Sequence, residues 1–122
     1  MVKDMAFFAY SVRDVPRALA FYRDILGLVP GDSFGAHWIE FDVGGSTFGI
    51  GNGESLGYVP GASTGAAFEV DDLYATRERL KESGAEVSDV HEFPACMTCF
   101  ARDPEGNRFA LHQRKPPAPA AA

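Results

Sequence analysis

The sequence has little cysteine, no long apolar run and no cluster of basic residues, and each absence excludes a class of protein. No stretch approaches the roughly 20 apolar residues that span a bilayer, and residues 1–5 lack the apolar segment of a signal peptide. We therefore expect a cytoplasmic protein without a membrane partner. Eleven basic residues stand against seventeen acidic ones, for a net charge of −6. Nucleic-acid binding requires clustered positive charge, so nucleic acid is excluded as a partner.

The two cysteines, Cys96 and Cys99, have the spacing C-x-x-C. A zinc site of this kind needs a second pair of ligands, and a redox-active pair normally lies at a helix N-terminus. Residues 95–103 instead have the composition of a strand, in which positions three apart point to opposite faces. The pattern favours two ordinary reduced thiols.

The apolar content is high, at 46% of 122 residues with ten Phe, which is enough to build the core of one domain. Apolar periodicity and turn residues predict two halves with the same order of elements. The first half is predicted to contain a strand, a helix from Asp14 to Gly27, a short segment and two strands, at 5–12, 14–27, 28–34, 36–43 and 46–51. The second half is predicted to contain a strand, a helix and three strands, at 64–70, 71–84, 85–90, 97–103 and 107–113.

The halves repeat at a nearly constant offset. Val12 and Val70 are 58 residues apart, and Phe48 and Phe109 are 61 apart. Such an offset over the whole chain indicates an internal duplication. The fold class is therefore predicted as α+β, with two βαβββ modules.

A single domain is predicted over residues 1–115. Module one covers 5–52, a Gly/Pro/Ser-rich linker covers 52–63, and module two covers 64–113. The Pro/Ala tail, 116–122, has no side chains able to form a core, and it is predicted to be disordered.

Three stretches resemble the glyoxalase/bleomycin-resistance superfamily, also called the vicinal oxygen chelate (VOC) superfamily. Residues 11–28, SVRDVPRALAFYRDILGL, resemble its opening motif, and residues 68–73, FEVDDL, resemble the second-half version. Residues 103–107, DPEGN, are similar to its hairpin motif. The resemblance implies a U-shaped cleft between modules and a homodimer, with modules paired within or between chains. It does not fix the chemistry, because the superfamily includes metal-dependent isomerases, dioxygenases and epimerases as well as metal-free drug-sequestering proteins.

The resemblance also locates the metal site of the metal-dependent members. Their four His or Glu ligands correspond here to Phe7, Gly49, Gly65 and Ala110. None of these side chains can coordinate an ion, so we expect no metal and no other cofactor. A cleft lined by small and apolar residues suits a small organic ligand, such as an aromatic or amphipathic compound.

Strand alternation places further side chains on the cleft face. Trp38 is expected to stack on a planar ligand, and Arg108 is expected to bind an anionic group or to pair with a carboxylate. The expected ligand-binding residues are Phe7, Trp38, Glu40, Gly49, Gly65, Met97, Cys99, Arg108 and Ala110.

Three functions remain open. The first is metal-independent binding of a drug or metabolite, as in antibiotic resistance by sequestration. The alternative is a glyoxalase-like lyase or isomerase, with His112 and Glu69 as catalytic acid/base groups. The third is a structural or regulatory dimer whose cleft is vestigial. The missing metal ligands favour the binding protein, and the identity of the ligand stays open.

Overall fold

The computed structural model describes residues 1–35 and 37–116. Ala36 and most of the predicted disordered tail, 117–122, lie outside the described residues. The helices are α1 (Val15–Ala20), which continues as a π-helical segment (Phe21–Ile25), and α2 (Leu73–Glu82); Glu54–Leu56 forms a 3₁₀ turn. The strands are β1 (Phe8–Ser11), β2 (Val29–Phe34), β3 (Trp38–Val43), β4 (Ser46–Gly51), β5 (Ala67–Glu69), β6 (His91–Glu92), β7 (Cys96–Arg102) and β8 (Arg108–Arg114).

The strands form two four-stranded sheets of the same topology. Sheet A has the order β1-β4-β3-β2, and sheet B has the order β5-β8-β7-β6. In each sheet the β1–β4 or β5–β8 pair is parallel, and the remaining pairs are antiparallel. The predicted α+β class with two βαβββ modules is confirmed.

Both helices begin after an aspartate that caps them. The Asp14 carboxylate accepts a hydrogen bond from the Arg17 amide, and the Asp72 carboxylate accepts one from the Ala75 amide, each at 3.0 Å. Neither helix is a membrane span: among the described residues, no helix is both long and apolar enough to cross a bilayer.

Two strand predictions differ from the structure. Residues 28–34 were expected to form only a short segment, but β2 fills most of that range as a full edge strand. The strand predicted at 85–90 is wrong, because this segment makes a single bridge, Val87 to Ala101, and the edge strand β6 lies beyond it. In place of a regular strand pairing, Ser88 forms two hydrogen bonds with Phe100 of β7. The Ser88 amide donates to the Phe100 carbonyl, and the Ser88 hydroxyl accepts from the Phe100 amide, both at 2.8 Å.

One aromatic core joins the two modules. Tyr22 is fully buried, and its ring centroid lies 5.1 Å from that of Phe48 in sheet A and 6.3 Å from that of Phe109 in sheet B. Phe48 and Phe68, from different sheets, meet edge to face at 5.2 Å. Each buried aromatic ring removes about 150–250 Å² from water, so this cluster dominates the core energetics. The helix-covered face of each sheet packs into this core, and the opposite face, called the uncovered face below, points away from it.

The hairpin at 103–107 fastens module two to the start of α1. The buried Asp103 carboxylate accepts hydrogen bonds from the Tyr22 hydroxyl and the Asn107 side-chain amide, both at 2.8 Å. The Glu105 carboxylate accepts from the backbone amides of Arg13 (2.7 Å) and Asp14 (2.8 Å). The D-P-E-G-N motif is therefore structural, since it satisfies buried and helix-terminal polar groups across the modules.

Candidate functional site

The uncovered face of sheet A is built around Trp38 on β3. Its indole lies across the neighbouring strand β4, where Gly49 and Gly51 have no side chains. A methyl group added to Gly49 would stand 2.3 Å from two indole carbons, and one added to Gly51 would stand 2.8 Å from another. Both glycines are buried in this way, so they form a seat for the aromatic ring.

Two further contacts hold the indole in place. Trp38 Nε1 donates a hydrogen bond to Glu40 Oε2 at 2.9 Å. The Phe7 ring meets the indole edge to face, with centroids 5.4 Å apart and an angle of 70° between the planes. Phe7 is 51% exposed and Trp38 is partly exposed. The result is a preorganised aromatic surface that is open to solvent.

The cleft of small residues expected from the sequence is not open beside Gly49. That space is filled by the indole itself. The four positions that correspond to metal ligands in metal-dependent relatives carry no donor atoms in their side chains. Within residues 1–35 and 37–116, no three His, Cys, Asp or Glu side chains form a group that could hold an ion. At those four positions, the residues present therefore do not fit a metal ion.

Sheet B brings Glu69 and His112 together on its uncovered face. The two residues are register partners on β5 and β8, and His112 Nδ1 lies 2.6 Å from Glu69 Oε1. The Arg114 backbone amide donates to Glu69 Oε2 at 2.7 Å. An ionised carboxylate only accepts, so Nδ1 carries the proton, and in the uncharged form of the ring Nε2 would hold the acceptor lone pair. This geometry suits a proton acceptor.

The environment also favours the ionised form of Glu69. Partial desolvation acts to raise the pKa of Glu69, but the hydrogen bonds from His112 and from the Arg114 amide outweigh it, so the pKa lies below its usual value. The carboxylate is therefore charged at neutral pH and orients the His112 ring.

Arg108 and Phe100 form the other feature of this face. The Arg108 guanidinium carbon lies 4.0 Å from the centroid of the Phe100 ring, a cation–π contact. In the described part of the chain Arg108 stacks in this way and forms no ion pair with a carboxylate. Sequence reasoning missed Phe100, because its place opposite Ala110 follows from the register of β7 against β8.

The placement of Met97 and Cys99 on the cleft face is wrong. Cys99 is fully buried, and burial raises the pKa of its thiol; Met97 packs against the same core. The β7 residues that share the face of His112 are Thr98 and Phe100. Alternation alone left the choice open because both faces of β7 carry apolar side chains. The small Cys99 and Ala101 side chains lie on the helix-covered side, and the larger Phe100 lies outside.

The remaining predicted site residues lie at the seam and on β8. Gly65 precedes β5 with a positive φ of 102°, and Ala110 pairs with Ala67 on the uncovered face of sheet B. A groove of about 650 Å³ follows the seam between β1, β4 and β5, with Gly65 and Glu69 in its wall. A larger groove of about 770 Å³ runs between α1, the end of α2 and the 103–106 turn. Neither groove includes Trp38 or His112.

The chain is similar in structure to both ligand-binding proteins and enzymes. A family model described as Glyoxalase/Bleomycin resistance protein/Dioxygenase superfamily matches residues 5–111. An antibiotic binding protein from Streptomyces sp. CB03234 is 25% identical, with a TM-score of 0.79 over 93% of this chain and 98% of that one. A glyoxalase/bleomycin resistance protein from the same organism is 27% identical, with a TM-score of 0.77 over 90% of this chain and 100% of that one.

The fold is also similar to that of an enzyme. Lactoylglutathione lyase from Agrobacterium tumefaciens is 20% identical, with a TM-score of 0.74 over 93% of this chain and 95% of that chain, and it shows the fold alone. No curated protein matches the sequence. Since the fold is shared by binders and enzymes, function has to be argued from the site.

Proposed function

Because this chain belongs to the glyoxalase/bleomycin resistance protein/dioxygenase superfamily, we propose that it is a metal-independent small-molecule binding protein that holds a planar organic ligand against Trp38. The observation that carries the proposal is the seating of the indole. Gly49 and Gly51 support one side of the ring, while the side chain remains partly exposed. A rigid ring with an accessible face binds planar compounds with little loss of side-chain entropy.

Metal independence is supported by the same seat. Gly49 corresponds to a ligand position of the metal-dependent relatives, and the indole of Trp38 now covers it. Phe7, at another such position, packs against that indole instead of offering a donor. Two of the four positions that correspond to metal ligands therefore form part of the aromatic surface in this chain.

We propose that the cleft is completed in a homodimer. Phe7 and Phe34 remain 51% and 63% exposed beside Trp38, and contiguous exposed aromatic surface marks an interaction site. The two large grooves of the single chain contain neither Trp38 nor His112. A second copy packed against this patch would enclose the ligand from both sides.

The single tryptophan of the chain provides the test. Aromatic antibiotics and metabolites are screened by quenching of Trp38 fluorescence, and the dissociation constants of the hits are measured by calorimetry. Stacking contributes about 0.5–1.5 kcal/mol beyond area burial, so Trp38→Ala is expected to weaken binding by about two- to tenfold. Phe93→Ala, which removes an aromatic ring 52% exposed beside sheet B, serves as the control. Hits that bind Trp38→Ala and wild type equally would contradict the proposal.

A second candidate function is favoured by one observation, the 2.6 Å hydrogen bond between Glu69 and His112. The pair has the geometry of an oriented general base, which would take a proton from a bound ligand through Nε2, as a lyase or isomerase without a metal requires. Turnover of a bound compound that is lost in His112→Gln, while binding persists, would support this activity. Binding without turnover supports the sequestering protein.

A further inference from the structure

The positively charged residues of the strands all lie in sheet B. The strands of sheet A contain three acidic residues, Asp32, Glu40 and Asp42, and no Lys, Arg or His. The arginines of the strands, Arg102, Arg108 and Arg114, all lie in sheet B. The aromatic surface around Trp38 is therefore set in a sheet without positive charge.

Two of these carboxylates share the uncovered face with the indole. Glu40 and Asp42 alternate with Trp38 along β3, opposite Gly49 and Thr47 of β4. Glu40 accepts the indole N–H through one oxygen. In the described part of the chain, neither carboxylate forms an ion pair. Their charges are left uncompensated within the sheet.

We infer that the Trp38 surface selects planar cations over planar anions or neutral rings. The inference rests on the proposed function, because it requires the ligand to lie on Trp38. The face of an indole carries the negative side of its quadrupole and attracts a cation above it. Glu40 adds a full negative charge at the edge of the same ring. An anionic ligand of the same shape meets repulsion from both groups, so Glu40 determines specificity.

The test compares two probes of the same three-ring shape on the full-length protein, 9-aminoacridine as the cation and anthracene-9-carboxylate as the anion. Calorimetry is expected to show tighter binding of the cation. In Glu40→Gln the amide oxygen still accepts the Trp38 N–H, but the charge is lost. The ratio of the two affinities is then expected to fall by about three- to tenfold. Glu78→Gln, an equal charge change on the exposed side of α2, leaves the ratio unchanged.

Two results would overturn charge selection: equal or tighter binding of the anion to wild type, or the same ratio in Glu40→Gln as in Glu78→Gln. Trp38→Ala separates this failure from failure of the proposed function. If both probes bind equally and both lose affinity in Trp38→Ala, only the charge selection fails. If binding of neither probe depends on Trp38, the proposed function fails with it.

Discussion

The indole of Trp38 lies on the backbone of Gly49, so closely that a single methyl group on that glycine would stand 2.3 Å from the ring. The contact is diagonal across two antiparallel strands, since Trp38 pairs in register with Gly51 and Gly49 pairs with Glu40. A side chain at position 49 is incompatible with this position of the ring. By the family resemblance, Gly49 corresponds to a metal-ligand position, and here that position supports an aromatic ring.

Gly49→Ala is expected to displace the indole without removing any atom that touches a ligand. Overpacking of this kind lowers the free energy of unfolding by about 1–3 kcal/mol, and the displaced ring shifts its fluorescence emission and weakens ligand binding. Emission spectra and urea unfolding provide the measurements. Thr47→Ala, on the same face of β4, is the control, and an unchanged emission spectrum for Gly49→Ala would contradict the contact.

The fold was largely predictable from the sequence because its signals are local. Caps at Asp14 and Asp72, stop signals at Gly27 and Gly84 and the repeated order of elements all arise from short-range chemistry. The strand expected at 85–90 was wrong because pairing of an edge segment depends on its neighbour: Ser88 bonds to β7 through its side chain, which alternation cannot reveal.

The candidate site was predictable only in part. Strand alternation placed Trp38, Glu69 and His112 on the uncovered faces, where the structure has them. It misplaced Cys99, because β7 carries apolar side chains on both faces and alternation then does not show which face is buried. The hydrogen bond between Glu69 and His112 and the seating of Trp38 depend on the register of strands far apart in sequence. That register is a property of the tertiary structure.

Tyr22→Phe is expected to lower the free energy of unfolding by about 1–3 kcal/mol, because it removes a buried hydrogen bond to a carboxylate. The bond joins the modules, since Asp103 belongs to the hairpin of module two. Urea unfolding measures the effect. Tyr74→Phe removes a hydroxyl from a ring that is 52% exposed and should be nearly neutral. Equal stabilities of the two variants would show that the Tyr22 bond contributes nothing.

The stability difference between wild type and Tyr22→Phe is expected to depend on pH. Burial, together with the negative charge of Asp103, raises the pKa of Tyr22 well above its usual value. The unfolded chain loses this proton near pH 10 while the folded chain keeps it, so deprotonation above pH 10 favours unfolding. The stability advantage of wild type over Tyr22→Phe should therefore shrink as pH rises from 9 to 11. An advantage that is constant or grows over this range would contradict the assignment.

Assembly is tested by light scattering. A homodimer is expected, with about twice the chain mass of 13.2 kDa, because the aromatic patch of sheet A is too exposed for a stable monomer surface. The measurement is made at high micromolar concentration with and without a ligand from the screen. A monomer under both conditions would exclude a cleft shared between chains.

Metal content is tested by elemental analysis after dialysis. We expect no stoichiometric zinc, nickel, iron or manganese, because the four positions that correspond to metal ligands are Phe7, Gly49, Gly65 and Ala110. One equivalent of any of these metals per chain would overturn the metal-independent function.

The central claim, that ligands bind on the uncovered face around Trp38, is tested most directly by mapping amide chemical shifts of the isotope-labelled protein during titration with a ligand from the screen. The account predicts the largest changes at Phe7, Trp38, Glu40 and Gly49, including the indole N–H of Trp38. Changes concentrated instead in the groove of about 770 Å³ between α1 and the 103–106 turn, with the Trp38 indole signal unmoved, would contradict it.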